Sequence, residues 1–399
     1  MKILATGMEW AEHRPGGLNY YFADYLKAMN QYGHTVEGLI SSERKVMEAP
    51  SYIRDVVSGS AKLGTYQRMK FFHASIRDRT SVITPDIINP HFGLYASLTT
   101  RRFIPGHVPI VTHFHGPWAQ ESLVEDGGNQ ITKLLRYQIK KRIEQTTYRR
   151  SDAFIVLSDY FRALLSREFG IAKDSIHRIP GAADIERFRP SENRGALREE
   201  LGILEDQKVL FCARRLVRRM GIDQLIRAMA EVSREAPSTL LFIAGQGALK
   251  EEYEQLIEEL RLQSTVRLLG RVSDEDLVRW YQAADLSVVP TRTLEGFGLV
   301  TTESLACGTP VLGTPYGGTK EILEPFSNQL LFREGSPDAI AEKIISILKG
   351  DCSIPSREEC RQHVLQHYTW TKVARSVTRV FDQAIQQRKE LGKYESSLL

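Results

Sequence analysis

The chain has 399 residues, of which 42% are hydrophobic and 26% are charged, and this composition excludes a fibrous, coiled-coil or disordered protein. At about 150 residues per domain, the length predicts two or three domains, each large enough to bury a core of its own, and we choose two. Residues 1–187 hold 25 Lys and Arg against 19 Asp and Glu, so the net positive charge lies in the first half, where it favours an anionic partner.

Short apolar runs in the first half predict strands, because Gly, Pro and polar clusters bound each of them. These runs are Met1–Thr6, Thr35–Ile40, Ile87–Pro90, Val108–His113, Ala153–Leu157 and Ile176–Ile179. Apolar residues recur at steps of three and four in Asn19–Tyr32, which predicts a helix. Strands that alternate with helices indicate a parallel sheet covered on both faces.

A second alternating series follows and predicts a second Rossmann-like domain. Its strands are Val209–Ala213, Leu240–Ala244, Val266–Leu269, Leu286–Pro290, Pro310–Gly313 and Gln329–Phe332. Its helices are Gly221–Ala236, Leu249–Leu260, Ser273–Ala284, Gly298–Cys307 and Ser336–Leu348. We place the link between the domains in the charged segment Asp184–Glu205, and the tail Tyr368–Gln387 has helical spacing with no strand after it. Because ligands bind at the carboxyl ends of parallel strands, we expect the site in a cleft shared by the two domains.

Targeting and redox signals are weak throughout the chain. Cys212, Cys307, Cys352 and Cys360 have neither disulfide nor zinc spacing. Residues 2–10 lack the pattern of a signal peptide, and no run approaches about 18 apolar residues. We therefore expect a cytoplasmic protein that does not span a membrane.

The segment Pro290–Gly318 (PTRTLEGFGLVTTESLACGTPVLGTPYGG) carries the most specific motif. Residues 296–298 (GFG) permit a tight turn after a strand, and the helix that follows begins with N–H groups suited to a phosphate or diphosphate. Glu295 precedes the turn and Glu303 follows inside the helix, where carboxylates suit hydroxyl donors such as ribose or hexose groups. The alternative is that Glu303 is a solvated helix residue and the glycines serve only the turn, but the flanking GFGL and GG weaken it.

The sequence EGFGLVTTESLACGTPVLGTPYGGTKEIL resembles the donor-site signature of the retaining glycosyltransferases of family 4, which have the GT-B fold. Nearly the whole chain agrees with this family in order, and residues from about 41 to 85 agree least. The other matching motifs are Gly16-Gly17, residues 112–116 (THFHG), 151–158, 179–190 (IPGAADIERFRP), Arg215-Leu216-Val217 and Gly245-Gln246-Gly247. The fold class implied is α/β, with domains at 1–187 and 188–367 and residues 368–399 packed back on the first domain.

The resemblance implies a role for each matched residue. Glu295 would lie beside the transferred sugar, Glu303 would hold the nucleotide ribose, and Arg215 would supply the main cation to the diphosphate. Backbone amides of two glycine-containing turns would approach the sugar and diphosphate. The residues concerned are Gly16 and Gly17 in the first domain and Gly296, Phe297, Gly298 and Leu299 in the second, with Gly245 as a further donor-site glycine.

Two departures from the family pattern bear on these roles. The family Lys that touches the diphosphate is Met220 here, and a thioether cannot replace an ammonium group. We favour Arg219 as its substitute and keep Arg218 as the alternative, although both could be solvated loop cations. The Asn-Gly that the family has before Val-Asp is also altered, to PGAAD at residues 180–184, which weakens any role inferred for the missing Asn. Asp184 could simply cap a short helix.

Two histidines compete for the family's active-site role. Because side chains alternate across a strand, His113 and His115 point the same way and Phe114 points opposite. His115 precedes Gly116 and matches the motif, so we choose it and keep His113 as the alternative. His34 matches a strand entry and has a structural interpretation.

A DxD motif at residues 274–276 could suggest a divalent cation. Ser273 instead indicates a helix N-cap, with the acids as partners of the helix dipole. We therefore expect no obligatory metal and no cofactor besides the nucleotide-sugar donor.

Two basic amphipathic segments lie in the first half. Lys62–Arg79 and Asn129–Arg150 each combine Lys and Arg with apolar residues at helical spacing. Such helices can lie on an anionic membrane or hold an anionic acceptor. Equally, they can turn their apolar faces to the core and their charges to solvent.

We predict a retaining, metal-independent hexosyltransferase that moves a sugar from a UDP- or GDP-sugar to a hydroxyl acceptor. The acceptor would be a glycolipid, an oligosaccharide or a small molecule, and glycolipid or polysaccharide synthesis is the favoured setting. Peripheral binding to the inner membrane face is possible, and no nucleic-acid partner is expected. The alternatives are a small-molecule glycosyltransferase and a non-catalytic scaffold. An oxidoreductase is disfavoured because no GxGxxG follows the first strand.

Overall fold

A computed structural model describes residues 1–14, 16–43, 46, 49–59, 63–125 and 129–397, with side chains described as far as residue 391. The chain forms two compact units. The first consists of Met1–Gly181 with Trp370–Leu399, and the second of Ala182–Thr369. The segment that the sequence suggests as a link, Asp184–Glu205, lies within the second unit and contains a helix at Arg194–Glu200.

The first unit is built on parallel strands in the order β3-β2-β1-β4 and β5-β6-β7. A single bridge from Ile88 to Ile110 connects these two groups. The strands are β1 (Lys2–Glu9), β2 (Thr35–Ser42), β3 (Ile53–Ser58), β4 (Ile87–Pro90), β5 (Val111–Phe114), β6 (Ala153–Val156) and β7 (Ile176–Arg178). All six predicted strands are present, β4 with the predicted ends and the other five with shifted ends, and β3 is an edge strand that the sequence analysis missed.

Helices cover the sheet of the first unit, as the buried Val, Ile and Leu of its strands require. They are α1 (Gly17–Gln31), α2 (Thr65–Ile83), α3 (Gly93–Ala96), α4 (Trp118–Glu125), α5 (Gln130–Tyr148) and α6 (Asp159–Phe169). The predicted helix Asn19–Tyr32 corresponds to α1, whose buried face includes Tyr21, Phe22 and Tyr25. In this unit Phe72 of α2 stacks on Tyr95 of α3 at a ring separation of 4.1 Å.

The second unit has one parallel sheet in the order β10-β9-β8-β11-β12. Its strands are β8 (Lys208–Ala213), β9 (Thr239–Ala244), β10 (Val266–Gly270), β11 (Leu286–Val289) and β12 (Val311–Gly313). The sixth predicted strand, Gln329–Phe332, is wrong: Asn328–Leu330 form a 3-10 turn, and only Leu331 bridges to Gly313.

Five helices of the second unit correspond to predicted ones, whereas Arg194–Glu200, Gly317–Leu323 and Arg357–His367 were not predicted. The helices of this unit are α7 (Arg194–Glu200), α8 (Ile222–Glu235), α9 (Lys250–Glu259), α10 (Asp274–Ala283), α11 (Leu299–Ala306), α12 (Gly317–Leu323), α13 (Pro337–Leu348) and α14 (Arg357–His367). Asp184 caps no helix but closes a turn, since its Oδ1 accepts from the backbone N–H groups of Glu186 and Arg187 at 3.1 Å.

The last helix, α15 (Trp370–Ser397), belongs to the first unit. His34, at the entry to β2, contacts Thr378 of this helix through Nε2 and Oγ1 at 2.8 Å, which agrees with its structural interpretation. Arg388 pairs with Asp152, which precedes β6. Polar contacts at two positions of α15, ten residues apart, therefore hold it on the first unit.

Candidate active site

The loop between β11 and α11 carries the motif that the sequence singles out. Leu294 has a φ of 56°, which is unusual for a residue with a side chain, and Glu295 follows it. Gly298 is the N-cap of α11 with a φ of 91°, and a Cβ there would lie 2.6 Å from Oγ1 of Thr319. Both the backbone conformation and the close approach therefore require glycine at Gly298.

The second glycine pair of the motif packs against this loop. The N–H of Gly318 donates to the carbonyl oxygen of Glu295 at 2.9 Å. A Cβ on Gly317 would lie 2.5 Å from that same oxygen, and one on Gly318 would lie 2.4 Å from the Cα of Phe297. The two parts of the motif thus form one unit, in which α12 fixes the loop that precedes α11. Phe297 is buried and its ring lies 5.8 Å from that of Tyr368, so its side chain has a packing role.

Glu295 is buried, and its carboxylate is held by two donors. Arg214 forms an ion pair with Oε2, and the hydroxyl of Thr291 donates to the same oxygen at 3.0 Å. The side chains of Arg214 and Glu295 are both almost entirely buried, so this ion pair fixes the orientation of the carboxylate. The sequence analysis missed Arg214, because it assigned the cations of this region to the neighbouring positions.

Those neighbouring positions have different surroundings. Arg215 is exposed, as a ligand-binding cation can be. Arg219 is buried, and its Nη1 donates to the carbonyl oxygen of Leu294 at 3.1 Å, which supports the strained residue before Glu295. Arg218 is exposed and pairs with Glu252 at 3.1 Å.

Met220, which stands at the position of the family Lys, is buried. Its sulfur lies 4.0 Å from the hydroxyl of Thr291, one of the two donors that hold Glu295. The thioether therefore packs beneath the loop rather than offering a charge to a ligand.

Glu303 lies on the second turn of α11 and is half-buried. The hydroxyl of Tyr281 donates to its Oε2 at 3.3 Å. Burial, and then the charge of Glu303, raise the pKa of Tyr281 well above its ordinary value, so this hydroxyl remains a donor. A carboxylate held in this way presents an acceptor close to the start of the helix, where Leu299 is the first residue.

Gly245 follows β9 with a φ of 148°, and a Cβ there would lie 1.8 Å from the carbonyl oxygen of Arg214. A Cβ on Gly247 would lie 2.2 Å from the carbonyl oxygen of Leu216. These glycines let the segment after β9 lie directly against the segment that carries Arg214 and Arg215.

In the first unit, three histidine rings gather where β4 and β5 end. His91 and His113 stack at 4.1 Å, and Nδ1 of His91 lies 3.0 Å from Nε2 of His115. His113 is only 2% exposed, whereas His115 is half-buried. Phe114 packs on the opposite side against Phe161, which agrees with the predicted alternation. The greater exposure of His115 favours it over His113 as a residue that contacts a ligand.

The glycine loop lies at the start of α1. Gly16 is the N-cap with extended backbone, no side chain caps the helix, and a Cβ at this position would meet no atom within 4 Å. Gly17 is exposed as the first residue of the helix. The ring of Tyr21, one turn further along α1, lies 4.8 Å from that of His115, so the structure brings this helix start near the histidines.

The DxD motif forms the first turn of α10, as expected from Ser273. The hydroxyl of Ser273 accepts from the N–H of Asp276 at 3.0 Å. Asp274 pairs with Arg187 at 3.1 Å, and Asp276 lies 3.5 Å from Arg279. Over the part of the chain that the structure describes, no group of three or more His, Cys, Asp or Glu could hold a metal ion.

Comparison with known proteins identifies the family. Residues 15–187 match the model of Glycosyltransferase Family 4, and residues 193–367 match that of Glycosyl transferases group 1. A GDP-mannose-dependent monoacylated alpha-(1-6)-phosphatidylinositol monomannoside mannosyltransferase of Corynebacterium glutamicum is 30% identical over 92% of this chain and 94% of its own length. A D-inositol 3-phosphate glycosyltransferase of Corynebacterium jeikeium is 27% identical over 92% of each chain.

Solved structures agree on the fold. A sucrose-phosphate synthase from Thermosynechococcus elongatus has a TM-score of 0.81 at 21% identity and covers 97% of this chain and all of its own. The Anabaena protein HepE, in complex with UDP-glucose, has a TM-score of 0.73 at 18% identity over 96% of this chain and all of its own. The chain thus belongs to glycosyltransferase family 4 and is a glycosyltransferase with the GT-B fold, made of two Rossmann-like domains.

Proposed function

We propose that this glycosyltransferase transfers a hexose from a UDP- or GDP-sugar to a hydroxyl acceptor with retention of anomeric configuration and without an obligatory metal. The proposal rests on the loop before α11, where the buried Glu295 and the half-buried Glu303 flank a glycine-capped helix start. A helix N-terminus favours a diphosphate, and the carboxylates favour sugar hydroxyl groups. The name of the mannosyltransferase relative supports a nucleotide-sugar donor.

The second unit would bind the donor. Glu303 would accept hydrogen bonds from the ribose hydroxyls, and Glu295 would accept from the transferred sugar. Arg215 and the amides of residues 296–299 would stabilise the charge on the leaving diphosphate, and electrostatic stabilisation of this kind lowers the barrier substantially in many enzymes. Arg219 would support the loop and share in this field. His115 and the amides of Gly16 and Gly17, which belong to the first unit, would contact the transferred sugar and the acceptor.

The proposal of metal independence rests on the contacts of the DxD motif at residues 274–276. Asp274 and Asp276 are engaged by Arg187, Arg279 and the Ser273 cap, so charges and donors of this chain already occupy them. The cations beside the donor loop would take over the neutralisation of the diphosphate. We expect transfer to continue unchanged in EDTA.

Nucleotide binding to the second unit provides the test. Glu303→Gln removes one acceptor oxygen and the charge, so we expect UDP or GDP to bind about 10- to 100-fold more weakly in isothermal titration. The matched control is Glu324→Gln, an exposed carboxylate paired with Lys320, and it should bind normally. Equal affinity in Glu303→Gln and wild type would overturn the ribose role.

A donor screen then tests the reaction itself. Nucleotide release from UDP- and GDP-sugars, with and without lipid extract, should show one preferred donor and a requirement for acceptor. The anomeric coupling of the product reports retention, and an inverted product would overturn that part of the proposal. Nucleotide binding without transfer in any combination would instead indicate the scaffold.

We further propose that the acceptor is a glycolipid reached at an anionic membrane surface through α5. Residues three and four apart share one face of a helix. On this face of α5, Ile131 is 80% exposed and Leu135 is 61% exposed, and Leu134 and Ile139 are exposed as well. The buried residues of this helix lie near its end, at Glu144, Thr147 and Tyr148.

Charge complementarity favours an anionic bilayer as the partner. Arg136 and Arg142 are exposed on the same helix as the apolar side chains. Leu123 and Val124 of α4 are also exposed. Apolar side chains that enter the acyl boundary, together with cations at the headgroups, characterise interfacial helices. Neither this helix nor any other that is described has the length and apolarity to cross a membrane.

Vesicle sedimentation tests this surface. Wild type should bind vesicles of phosphatidylcholine with phosphatidylglycerol, bind pure phosphatidylcholine poorly, and dissociate as salt rises. The double variant Ile131→Gln with Leu135→Gln should bind at least about tenfold more weakly, because it removes two insertable side chains. Leu204→Gln, at an equally exposed leucine of the second unit, is the matched control. Equal binding of the wild type to vesicles with and without phosphatidylglycerol would refute the proposal, and so would wild-type affinity in the double variant.

A further inference from the structure

The histidine cluster of the first unit is joined by hydrogen bonds whose directions can be assigned. Nδ2 of Asn89 lies 2.5 Å from the carbonyl oxygen of Val111, which can only accept, so this atom is the amide nitrogen. Its second proton points to Nδ1 of His113 at 3.0 Å. Oδ1 of Asn89 is then an acceptor, and the hydroxyl of Tyr25 donates to it at 2.9 Å.

The same oxygen fixes the tautomer of His91. Nε2 of His91 lies 2.9 Å from Oδ1 of Asn89 and therefore carries a proton. Burial, and then the neighbouring histidines, lower the pKa of His91 well below its ordinary value, so the ring is neutral. A neutral imidazole has one donor and one acceptor, which leaves Nδ1 of His91 as the acceptor.

His115 completes the chain of hydrogen bonds. Its Nε2 lies 3.0 Å from Nδ1 of His91 and must donate to it. Burial also lowers the pKa of His115, so its remaining nitrogen, Nδ1, carries no proton and can only accept. The buried rings of Tyr21 and Tyr25 pack against His115 and His91, at 4.8 and 4.6 Å, and hold them in place.

We propose that Asn89 and His91 are positioning residues, which hold His115 in the Nε2-protonated tautomer so that its Nδ1 accepts a hydrogen bond from a substrate hydroxyl. The proposal rests on the proposed function for the identity of the substrate. The directions of these hydrogen bonds, however, are a property of the free protein and do not depend on a bound substrate. In the opposite tautomer, Nδ1 of His115 would carry a proton. It would then donate to the oxygen of the same hydroxyl instead of accepting its proton.

The tautomer is measured directly by long-range proton–nitrogen NMR on full-length protein labelled with [15N]histidine, and His115 is assigned from His115→Gln. In wild type we expect His115 to be protonated on Nε2 and unprotonated on Nδ1. Protonation on Nδ1 in the wild type would overturn the proposal without any further variant.

Three variants separate positioning from packing. His91→Leu removes the acceptor, so His115 should become a mixture of tautomers and kcat should fall about tenfold while nucleotide affinity is unchanged. His91→Gln keeps an acceptor for His115 and a donor for Asn89, and it should restore both the tautomer and most of kcat. Tyr25→Phe removes a donor to the same Asn89 oxygen but keeps both histidine links, so the tautomer of His115 should be unchanged in this variant.

The outcomes also distinguish this proposal from the proposed function. If His91→Leu lowers the thermal midpoint but leaves the tautomer of His115 and kcat per folded molecule unchanged, His91 is only structural and the proposal fails. If no donor supports transfer while the tautomer responds as expected, the proposed function fails and the positioning network stands. If His91→Leu does not fold, the wild-type and His91→Gln spectra still decide the tautomer.

Discussion

At the scale of single residues, Glu144 of α5 shows how burial and hydrogen bonds compete to set the pKa of a carboxyl group. Its Oε1 accepts from the N–H of Trp118 at 3.0 Å and its Oε2 from that of Ala119 at 3.2 Å, at the start of α4. The hydroxyl of Tyr148 donates to it as well, at 3.2 Å. These donors favour the carboxylate, but burial outweighs them and raises the pKa of Glu144 to about 7.

We predict that Glu144 makes stability fall as the pH rises through neutrality. Because its pKa in the folded protein lies above the unfolded value, the stability is fully present below pH 4.5 and is lost as the pH passes 7. Glu144→Gln does not titrate. The difference in free energy of unfolding between wild type and this variant should therefore change by about 3 kcal/mol between pH 4 and pH 8. Urea unfolding at both pH values measures it, and a constant difference would contradict the prediction.

Single site residues differ in how far the sequence could identify them. The glycines around Glu295 were predictable, since a motif of this kind needs close backbone contacts and the structure shows them at Gly298 and Gly317. Arg214 was not predictable from the run Arg214-Arg215, because only tertiary packing decides which guanidinium turns to Glu295. For the same reason the sequence placed His115 at a strand end but gave no sign that His91 contacts it.

At the scale of elements, periodicity predicted which residues share a face but not which way the face turns. In α2 the apolar residues Met69, Phe72 and Ile76 are buried, as an ordinary amphipathic helix requires. In α5 the corresponding residues are exposed, because contacts to the core come from the end of the helix. The apolar residues of α2 and α5 have the same spacing in the sequence, so only the packing distinguishes a core helix from a surface helix.

The strand that was missed follows the same logic. In β3 only part of the segment is apolar, and Asp55 accepts a hydrogen bond from Ser42 at 2.5 Å on the neighbouring strand β2. An edge strand needs one partner and one packed face, so its sequence carries a weak pattern. Central strands such as β8 are buried on both faces and were predicted to within a residue or two.

At the scale of the whole molecule, the chain enters the second unit after Gly181 and returns to the first at Trp370. The return is a single long helix, α15, whose buried side chains include Val377 and Phe381. Since α15 contributes core residues to the first unit, folding of that unit depends on residues at both ends of the sequence. The second unit is continuous in sequence and has no such dependence.

We predict that α15 stabilises the first unit selectively. Phe381→Ala should lower the free energy of unfolding of that unit by about 3 kcal/mol, because Phe381 is fully buried and its truncation leaves a cavity. Removal of residues 370–399 should have a larger effect. Hydrogen–deuterium exchange with mass spectrometry resolves the units: exchange should quicken in α1 and β2 and stay unchanged in α8 and β8. Gln383→Ala, at an exposed position of the same helix, is the control. Unchanged exchange in α1 and β2, or equal acceleration in both units, would show that α15 is not part of the core of the first unit.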